Sequence, residues 1–498
     1  MHKINKQIIA NLMGLLLLFN GAFMLLSSLV SLLTDDGVTF ELTFAAFLVL
    51  FIGVFIMLLS RNHSKQIQKR EGYIVVSFGW ILMSLSGMLP YLFSGVIPDI
   101  SSAFFETMSG YTTTGSSVLN DIESLPKGIL FWRSTTHWIG GMGIIVLAIA
   151  ILPLLGIGGM QLFAAEAPGP SSDKLHPRIT DTAKRLWFIY FGFTLIETLL
   201  LFFAGMSLFD AINHAMSTVS TGGFSTKNSS IAFWNDTPII QYIITFFMII
   251  AGTNFVLSYF ALTGKVQKIL RNQEFKYFIF FIGIATLLVT IVLFNQVDLT
   301  SSSFDHPQVL GTLESSFRHA FFQIVAVITT TGFVTADFTS WTPFLTIVFF
   351  GLMFMGGSAG STSGGIKGVR HLLMLKSGFL EFKRALHPNA IIQPRHNGSI
   401  LKEEIIHNIY AFFILYMLSF IFGAIVFGAL GLNFESAIGV AASSLGNVGP
   451  ALGDYGPSFS YSELPLLGKW WASFLMLLGR LELFTVLILF TPFFWKKN

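Results

Sequence analysis

Apolar stretches of about 20 residues recur along the whole of this 498-residue chain, and they constrain its fold more than any other feature. A helix of that length spans the hydrocarbon core of a bilayer. Hydrophobic residues make up 53% of the sequence and charged residues 11%, whereas about 25% of the residues in a typical soluble domain are charged. One soluble core has no room for so much apolar surface, so we predict an all-α integral membrane protein.

Ten of these stretches qualify as transmembrane helices. The first superficially resembles a signal peptide. It stays apolar as far as Leu33, however, and no small-residue cleavage site follows its early leucine run, so we expect it to be kept as a span. The predicted spans lie at residues 7–33, 40–60, 72–95, 129–155, 186–206, 238–263, 276–295, 343–363, 404–431 and 468–491.

Positive charge is distributed unevenly between the two ends of these spans. All but six of the 29 Lys and Arg residues lie at the termini or in loops on one side, whereas most Asp residues lie in loops on the other side. Cytoplasmic loops carry the excess of Lys and Arg. We therefore predict that both termini are cytoplasmic, which requires an even number of spans.

Between the two spans of each of the last four pairs lies an apolar segment too short to cross a bilayer. Each segment begins with residues that cap helix N-termini and then runs into small polar residues and glycine. The segments lie at about 101–112, 210–220, 315–329 and 435–443, and the candidate caps are Asp99/Ser101, Asp210, Glu314/Ser315 and Asn433/Ser436. We expect four short re-entrant helices.

The ends of the four segments align with one another. They read "AFFETMSGYTTTGSS", "NHAMSTVSTGGFS", "AFFQIVAVITTTGFV" and "AIGVAASSLGNVG", and the alignment places Gly115, Gly223, Gly332 and Gly446 in one column at a spacing of roughly 110 residues. This spacing predicts four pseudo-fourfold repeats of helix, pore helix, filter loop and helix, preceded by two extra N-terminal spans. The predicted boundaries are 1–70 for the extra spans, then 71–163, 164–271, 272–380 (with the gating loop) and 381–498 for the repeats.

Four loops meeting on such an axis predict an ion pathway. Non-helical backbone at membrane depth is tolerated where it is buried in protein or lines a water-filled cavity. Backbone carbonyls from four loops can replace the hydration shell of a monovalent cation, and glycine allows successive carbonyls to turn the same way. The negative C-terminal ends of the short helices would favour the cation. The alternative is that these are ordinary Thr- and Gly-rich turns, but four copies in register favour the pore.

The stretch "MFMGGSAGSTSGGIKGVR", at residues 353–370, holds too many glycines for an ordinary span, because each glycine costs about 1 kcal/mol of helix propensity. We predict that it breaks the helix and forms a flexible loop facing the conduction path. A phosphate-binding Walker A loop is excluded, because Ile366 and Gly368 flank Lys367 where that motif needs Gly-Lys-Ser/Thr. A glycine-rich kink that only helps spans to pack remains the alternative.

Arg480 lies within the last predicted span, where an unpaired cation is costly and marks a functional site by default. The structural alternative is an ion pair with Glu197 or Glu482, although Glu482 is only two positions along and would face away on a helix. Four further polar residues lie near the pore helices, and we expect them to make structural hydrogen bonds: Glu106, His137, His214 and His319.

These motifs, together with the span pattern, resemble the Trk/Ktr/HKT superfamily of potassium transporters, specifically its bacterial TrkH type, over essentially the whole chain. The resemblance implies potassium uptake across the bacterial inner membrane, with K⁺ as the transported ion. Glycine at Gly115 and in the other three columns resembles the potassium-selective members. The resemblance implies a selectivity filter made of Thr112, Thr113, Thr114, Gly115, Ser220, Thr221, Gly222, Gly223, Thr329, Thr330, Thr331, Gly332, Ser443, Ser444, Leu445 and Gly446.

Within that filter, the residues expected to contact K⁺ are Thr113, Thr114, Thr221, Gly222, Thr330, Thr331, Ser444 and Leu445. The glycine-rich stretch resembles the intramembrane gating loop of the family. The implied gating residues are Gly356, Gly357, Gly360, Gly364, Gly365, Lys367 and Arg480. The resemblance also implies a homodimer in membrane lipid that docks on a cytosolic TrkA-like, RCK-type regulatory ring, so that nucleotide acts only through that partner. We expect no nucleic-acid partner.

Two other functional classes are weighed against this interpretation. A membrane enzyme needs paired carboxylates, a His cluster or a nucleophile with its base, and the predicted spans offer only isolated Glu197, Glu482 and Arg480. A secondary transporter coupled to Na⁺ or H⁺ is expected to carry an intramembrane relay of Asp, Glu or His, and the spans show none. Channel-like conduction needs neither. We therefore predict a transporter and not an enzyme.

Overall fold

The computed structural model describes residues 4–61, 67–141, 143, 179–297, 306–390, 392–401 and 403–496. Over these residues the chain is mostly helical, as the sequence predicts. The strands in this part of the chain form one short antiparallel hairpin, β1 (Arg395–His396) and β2 (Ser399–Ile400).

The helices are numbered in chain order. The first ten are α1 (Lys6–Thr34), α2 (Thr39–Leu59), α3 (Lys69–Gly87), α4 (Leu89–Phe93), α5 (Ile100–Tyr111), α6 (Lys127–Gly141), α7 (Ile179–Phe203), α8 (Leu208–Val219), α9 (Pro238–Ala251) and α10 (Phe255–Leu262). The others are α11 (Val266–Arg271), α12 (Gln273–Gln296), α13 (Thr312–Ile328), α14 (Pro343–Leu352), α15 (Gly368–Leu386), α16 (Glu403–Ala429), α17 (Phe434–Gly446), α18 (Leu466–Arg480), α19 (Phe484–Leu487) and α20 (Pro492–Trp495). Short 3₁₀ turns occupy Ser230–Trp234, Gly453–Tyr455 and Ile488–Phe490.

By length and composition, six helices of the described segments can cross a membrane, or up to eight if each bent pair forms one span. One bent pair is α9 with α10, at an angle of 108°. The other is α18 with the segment Phe484–Phe490, at an angle of 111°. Helix α14 is apolar but has only 10 residues. The predicted span at 129–155 begins in α6 and continues outside the described residues. The count of ten spans therefore stays a prediction.

The outer face of α2 is suited to hydrocarbon. Five phenylalanines at helical spacing are each more than half exposed: Phe40, Phe44, Phe47, Phe51 and Phe55. A surface helix of a soluble protein would place polar residues there. This stripe supports the prediction that α2 is a transmembrane helix.

Glycines allow α1 and α2 to pack closely. A Cβ atom on Gly14 would lie 2.9 Å from the carbonyl oxygen of Gly53, and a Cβ atom on Gly53 would lie 3.0 Å from that of Gly14. In lipid, helices associate through such close backbone contacts because apolar burial drives little association there. The two N-terminal helices therefore form a tight antiparallel pair.

The last helices of the chain pack against the first short helix. The Trp470 indole N–H on α18 donates to the Ser101 hydroxyl at 2.9 Å, and the Trp470 ring stacks on Phe104 of α5 at 4.6 Å. One apolar cluster accordingly joins α1–α6 with α16–α18, and a second is built mainly from α7–α9 and α12–α14. The chain therefore closes on itself around the short helices α5, α8, α13 and α17.

The N-termini of the short helices agree in part with the predicted caps. Asp99 accepts a hydrogen bond from the Ser102 amide at 2.8 Å, and Asn433 caps α17. Helix α8 is capped by Ser207, and the predicted cap Asp210 lies in its first turn. Helix α13 begins earlier than predicted, after Gly311, and has no side-chain cap.

Candidate functional site

All four short helices end in the same backbone conformation. One residue at the end of each adopts a left-handed conformation: Thr113 (φ +52°), Thr221 (+56°), Thr330 (+55°) and Asn447 (+54°). The amide of each donates to the carbonyl three residues earlier, and the next amide donates to the carbonyl five residues earlier, at 2.8–3.0 Å for the second bond. These are the two hydrogen bonds of a Schellman helix end. The same device therefore terminates four helices of different sequence.

The predicted register of the fourth copy is wrong by three residues. Ser443, Ser444, Leu445 and Gly446 belong to helix α17, and Gly449 occupies the position predicted for Gly446. The helix continues one turn further because the left-handed position falls on Asn447, and Asn adopts this conformation more readily than most residues. In "NVG", as in "TTG", the residue that adopts the left-handed conformation stands two positions before a glycine. This two-residue interval was the available signal.

The four loops form a closed ring, named the loop ring here and comprising residues 112–115, 220–223, 329–332 and 446–449. In each loop one glycine has positive φ, and a Cβ atom built on it would come nearer than 3.0 Å to a carbonyl oxygen of the next loop. The glycine–carbonyl pairs are Gly115 with Gly222, Gly223 with Thr331, Gly332 with Val448, and Gly449 with Thr114. Each carbonyl belongs to the residue that precedes the equivalent glycine. The contacts therefore run from loop to loop and return to the first.

Hydroxyl groups stabilise the two Thr-Thr-Thr-Gly loops identically. Thr112 donates to the Met108 carbonyl and Thr329 to the Val325 carbonyl, both at 2.7 Å. Each of these hydroxyls also lies 2.8 Å from that of the threonine two positions later. The first threonine of each run therefore braces its own loop.

Asn447 takes over the bracing in the fourth loop. Its side-chain amide donates to the Thr114 hydroxyl at 3.0 Å and to the Met476 carbonyl at 2.9 Å. It thereby joins the fourth loop to the first loop and to α18. The loop-ring residues are buried or nearly so, and none of the sixteen is ionisable.

The glycine-rich loop, residues 353–368, lies directly against the loop ring. The Gly364 amide donates to the Thr330 hydroxyl at 2.6 Å, and the Thr362 hydroxyl donates to the last carbonyl of α8, that of Val219, at 3.2 Å. Gly360 and Gly365 adopt positive φ, at +77° and +65°. The predicted break in the helix is confirmed, since α14 ends at Leu352 and α15 begins at Gly368.

Arg480 connects the glycine-rich loop to the loop ring. Its guanidinium donates to the Thr362 carbonyl at 2.6 Å and to the Thr113 hydroxyl at 3.3 Å. It also donates to the carbonyls of Gly140 and Gly141 at the end of α6. A cation held by carbonyl dipoles satisfies several buried acceptors at once.

Other charged residues hold the glycine-rich loop and the start of α15. Glu482, offered above as a partner for Arg480, forms an ion pair with Arg370. The Lys367 ammonium donates to the Ser363 carbonyl within the loop. Glu274 on α12 accepts from the amides of Ala359 and Val369, at 2.7 and 3.1 Å.

Sequence reasoning missed Glu274, Asn447 and Gly449. Glu274 carried no signal, because an acid at the start of a helix after a basic stretch reads as a solvated terminus.

Comparison with known proteins identifies the family. The TrkH family profile, described as "Cation transport protein", matches residues 40–497. The chain belongs to the TrkH family of cation transport proteins. It is 41% identical over 497 residues to the Trk system potassium uptake protein TrkH of Salmonella typhimurium, covering 98% of this chain and 99% of that protein. It is 34% identical over 502 residues to the Trk system potassium uptake protein TrkG of Escherichia coli, with full coverage of both.

The fold matches a solved TrkH structure. The crystal structure of the potassium transporter TrkH from Vibrio parahaemolyticus aligns with a TM-score of 0.86 and 37% identity, over 98% of this chain and 99% of that one. The resemblance stated from the motifs is thus confirmed. The TrkH family consists of transporters, so the prediction that the chain is not an enzyme is also confirmed.

Proposed function

We propose that this chain takes up K⁺ through the centre of the loop ring, which acts as the selectivity filter, and that the glycine-rich loop with Arg480 is its gate. The observation that carries the proposal is the cyclic order of the glycine–carbonyl contacts, since four equivalent loops enclose one axis. Relatives over the full chain are named potassium uptake proteins. Both TrkH and TrkG relatives carry that name.

Backbone dipoles would replace the water shell of the ion. The four short helices end at the loop ring, and the C-terminus of a helix carries roughly half a negative charge. The loop ring contains no carboxylate, so the attraction rests on carbonyls and on these helix ends. Carbonyl rings bind a monovalent cation weakly enough to release it. In the fourth loop the proposed filter residues are Gly446 to Gly449, replacing Ser443 to Gly446.

The gate proposal rests on where the glycine-rich loop is attached. It is bonded to Thr330 and, through Arg480, to Thr113, which are equivalent positions in two filter loops. The same guanidinium places a positive charge beside the proposed ion path, which opposes the approach of a cation. Opening would require the hydrogen bonds of Arg480 and Thr362 to break together.

The remaining expectations from the family resemblance belong to this proposal. They are ten spans, both termini in the cytoplasm, the inner membrane of a bacterium, repeat boundaries near 71, 164, 272 and 381, a homodimer, and a nucleotide-binding cytosolic ring. The relatives are named as members of a Trk system, which supports a further component.

The test is cation flux through the purified chain in liposomes. We expect K⁺ flux to exceed Na⁺ flux, with or without added cytosolic nucleotide-binding partner, and we expect Gly115→Ser to lower the preference. Protein-free liposomes provide the baseline. If the chain carries no cation, and a regulatory partner does not change that, the pore proposal is wrong.

An ion-coupled transporter is the second candidate, and Glu197 is the observation that favours it. This carboxyl group is fully buried in α7, within the apolar part of the chain. Intramembrane carboxyls serve as proton or cation sites in coupled transporters. Coupling predicts that K⁺ accumulates against its gradient when a Na⁺ or H⁺ gradient is imposed, and that Glu197→Gln abolishes accumulation. Simple pore conduction predicts no such accumulation.

A further inference from the structure

The outer segment of each of the first three filter loops is held by a polar side chain at the same position of its own short helix. Glu106, His214 and Gln323 each lie seven residues before the left-handed residue of their loop. His214 Nε2 lies 2.9 Å from the Ser225 hydroxyl, and the Gln323 amide donates to the Thr335 hydroxyl at 3.3 Å. We call such a side chain the brace of its loop. In these two copies the brace contacts a hydroxyl of its own repeat.

In the first copy this brace is a carboxylate. Glu106 accepts from the Ser117 hydroxyl at 3.0 Å and from the Val118 amide at 2.9 Å, just beyond Gly115. The same carboxylate forms a buried ion pair with Arg133 of α6 at 2.7 Å, and the side chains of both residues are at most 3% exposed. Burying a charge costs desolvation free energy, and removing one partner of a buried ion pair leaves the other charge uncompensated.

Arg133 extends the brace into the second loop. Its guanidinium donates to the Ser225 carbonyl at 3.0 Å, and its carbon centre lies 3.6 Å from the ring centre of Phe224, the residue after filter glycine Gly223. Ser225 is also the residue that His214 holds. A continuous polar path therefore joins loop one to loop two, two residues beyond each filter glycine.

We infer that Glu106 and Arg133 are positioning residues for cation selectivity, acting as a clamp that fixes the spacing of the first two filter loops. The inference rests on the proposed function. The clamp does not touch the ion. It acts through Phe224 and Ser225, whose backbone continues directly from Gly223, so loss of the clamp shifts carbonyls on one side of the loop ring.

Arg133→Lys is the most informative variant. Lysine keeps the positive charge beside Glu106, but its single ammonium lacks the planar fork that reaches the Ser225 carbonyl and the flat face that covers Phe224. Glu106→Gln removes the charge and leaves the Arg133 guanidinium without its counter-ion. Phe224→Leu removes the stacked ring and leaves the ion pair intact.

An ion pair of another buried arginine, Arg318, with the partly exposed Glu314 serves as the matched control. Arg318 on α13 is 1% exposed, lies 2.8 Å from Glu314 and donates to Gln241 on α9. Its side-chain hydrogen bonds, among the described residues, go to those two helices and to neither the first nor the second loop. Arg318→Lys therefore makes the same chemical change on a different helix, α13.

Two readouts are measured on the full chain: the ratio of K⁺ to Na⁺ flux in liposomes, and the rise of the thermal midpoint in KCl over NaCl, with choline chloride as reference. The second readout reports binding even when the gate is closed. We expect Arg133→Lys and Phe224→Leu to lower the flux ratio about tenfold, equivalent to about 1.4 kcal/mol, with a near-normal midpoint in choline. We expect Arg318→Lys to keep the wild-type ratio.

Each alternative outcome is informative. If wild type prefers K⁺ and both Arg133→Lys and Phe224→Leu keep that preference, the clamp is overturned and the filter proposal stands. If Arg318→Lys lowers the ratio as much as Arg133→Lys, the effect is general destabilisation and the clamp is overturned. If wild type distinguishes K⁺ from Na⁺ in neither readout, the proposed function fails and the clamp fails with it. Should Glu106→Gln not yield folded protein, the two variants that keep the ion pair decide the question.

Discussion

A single methyl group at Gly115 should disrupt the loop ring, and Gly95 allows the effect to be isolated. Both glycines have a left-handed backbone, with φ of +84° and +72°. A Cβ atom on Gly115 would come nearer than 3.0 Å to the carbonyl oxygen of Gly222, whereas a Cβ atom on Gly95 would meet nothing within 4 Å. Alanine at either position imposes the same backbone strain, but only at Gly115 does it push on the next loop.

The magnitude follows from these two contributions. A non-glycine residue in the left-handed region costs about 1–2 kcal/mol, and Gly95→Ala should show this cost alone. At Gly115 the Gly222 carbonyl must also move by about an ångström to reach an ordinary contact of 3.4 Å. A hydrogen-bonding contact to a charged group is worth about 1.5–3 kcal/mol, so misplacing one carbonyl should weaken K⁺ binding by about ten- to a hundredfold.

The assay compares both variants with wild type in proteoliposomes and by thermal unfolding in KCl, NaCl and choline chloride. We expect similar loss of the thermal midpoint in choline for the two variants, up to the additional contact strain in Gly115→Ala. We expect the K⁺-specific stabilisation and the K⁺ preference in flux to fall for Gly115→Ala and to persist for Gly95→Ala.

Equal behaviour of the two variants would refute this reasoning. If Gly115→Ala keeps K⁺ binding and flux preference, the Gly222 carbonyl does not contribute to ion binding. If Gly95→Ala loses the preference as well, the left-handed strain accounts for the defect, and the contact between loops does not.

Three further variants test other parts of the site. Arg480→Ala removes several charge-assisted hydrogen bonds, so it should raise basal K⁺ flux and lower stability by about 3 kcal/mol. Arg384→Ala is the control, because it removes an exposed ion pair, and it should change stability by less than about 1 kcal/mol. Both variants are measured in the same flux and thermal assays. Gly449→Ala should lower K⁺ preference more than Gly446→Ala, because only the former has positive φ, and equal loss in flux would contradict the corrected register. Glu274→Gln weakens the acceptor of one amide in the glycine-rich loop and one at the start of α15, so it should raise basal flux. An unchanged flux would exclude Glu274 from holding the gate.

The sequence was sufficient for the parts of this molecule that depend on repetition. The two Thr-Thr-Thr-Gly runs adopt the same loop, in which Thr112 and Thr329 make the same hydrogen bond at equal distances. The break between α14 and α15 followed from glycine content. Contacts made across the fold could not be predicted, because nothing near Glu274 or Arg133 in the sequence indicates which distant loop its charge will meet.

The fourth loop explains how a repeat is preserved when its residues diverge. What the four copies share is a conformation, a left-handed residue followed two positions later by a glycine of positive φ, and side chains enter only through their ability to adopt it. Threonine does so three times at some strain, and Asn447 does so more easily. The segment "SSLGNVG" contains two glycines. An alignment by residue type places Gly446 in the filter column, whereas the two-residue interval after the left-handed residue places Gly449 there. The Asn447 side chain, which replaces a threonine, donates to the Thr114 hydroxyl. The least similar loop therefore makes a side-chain hydrogen bond that joins the last repeat to the first.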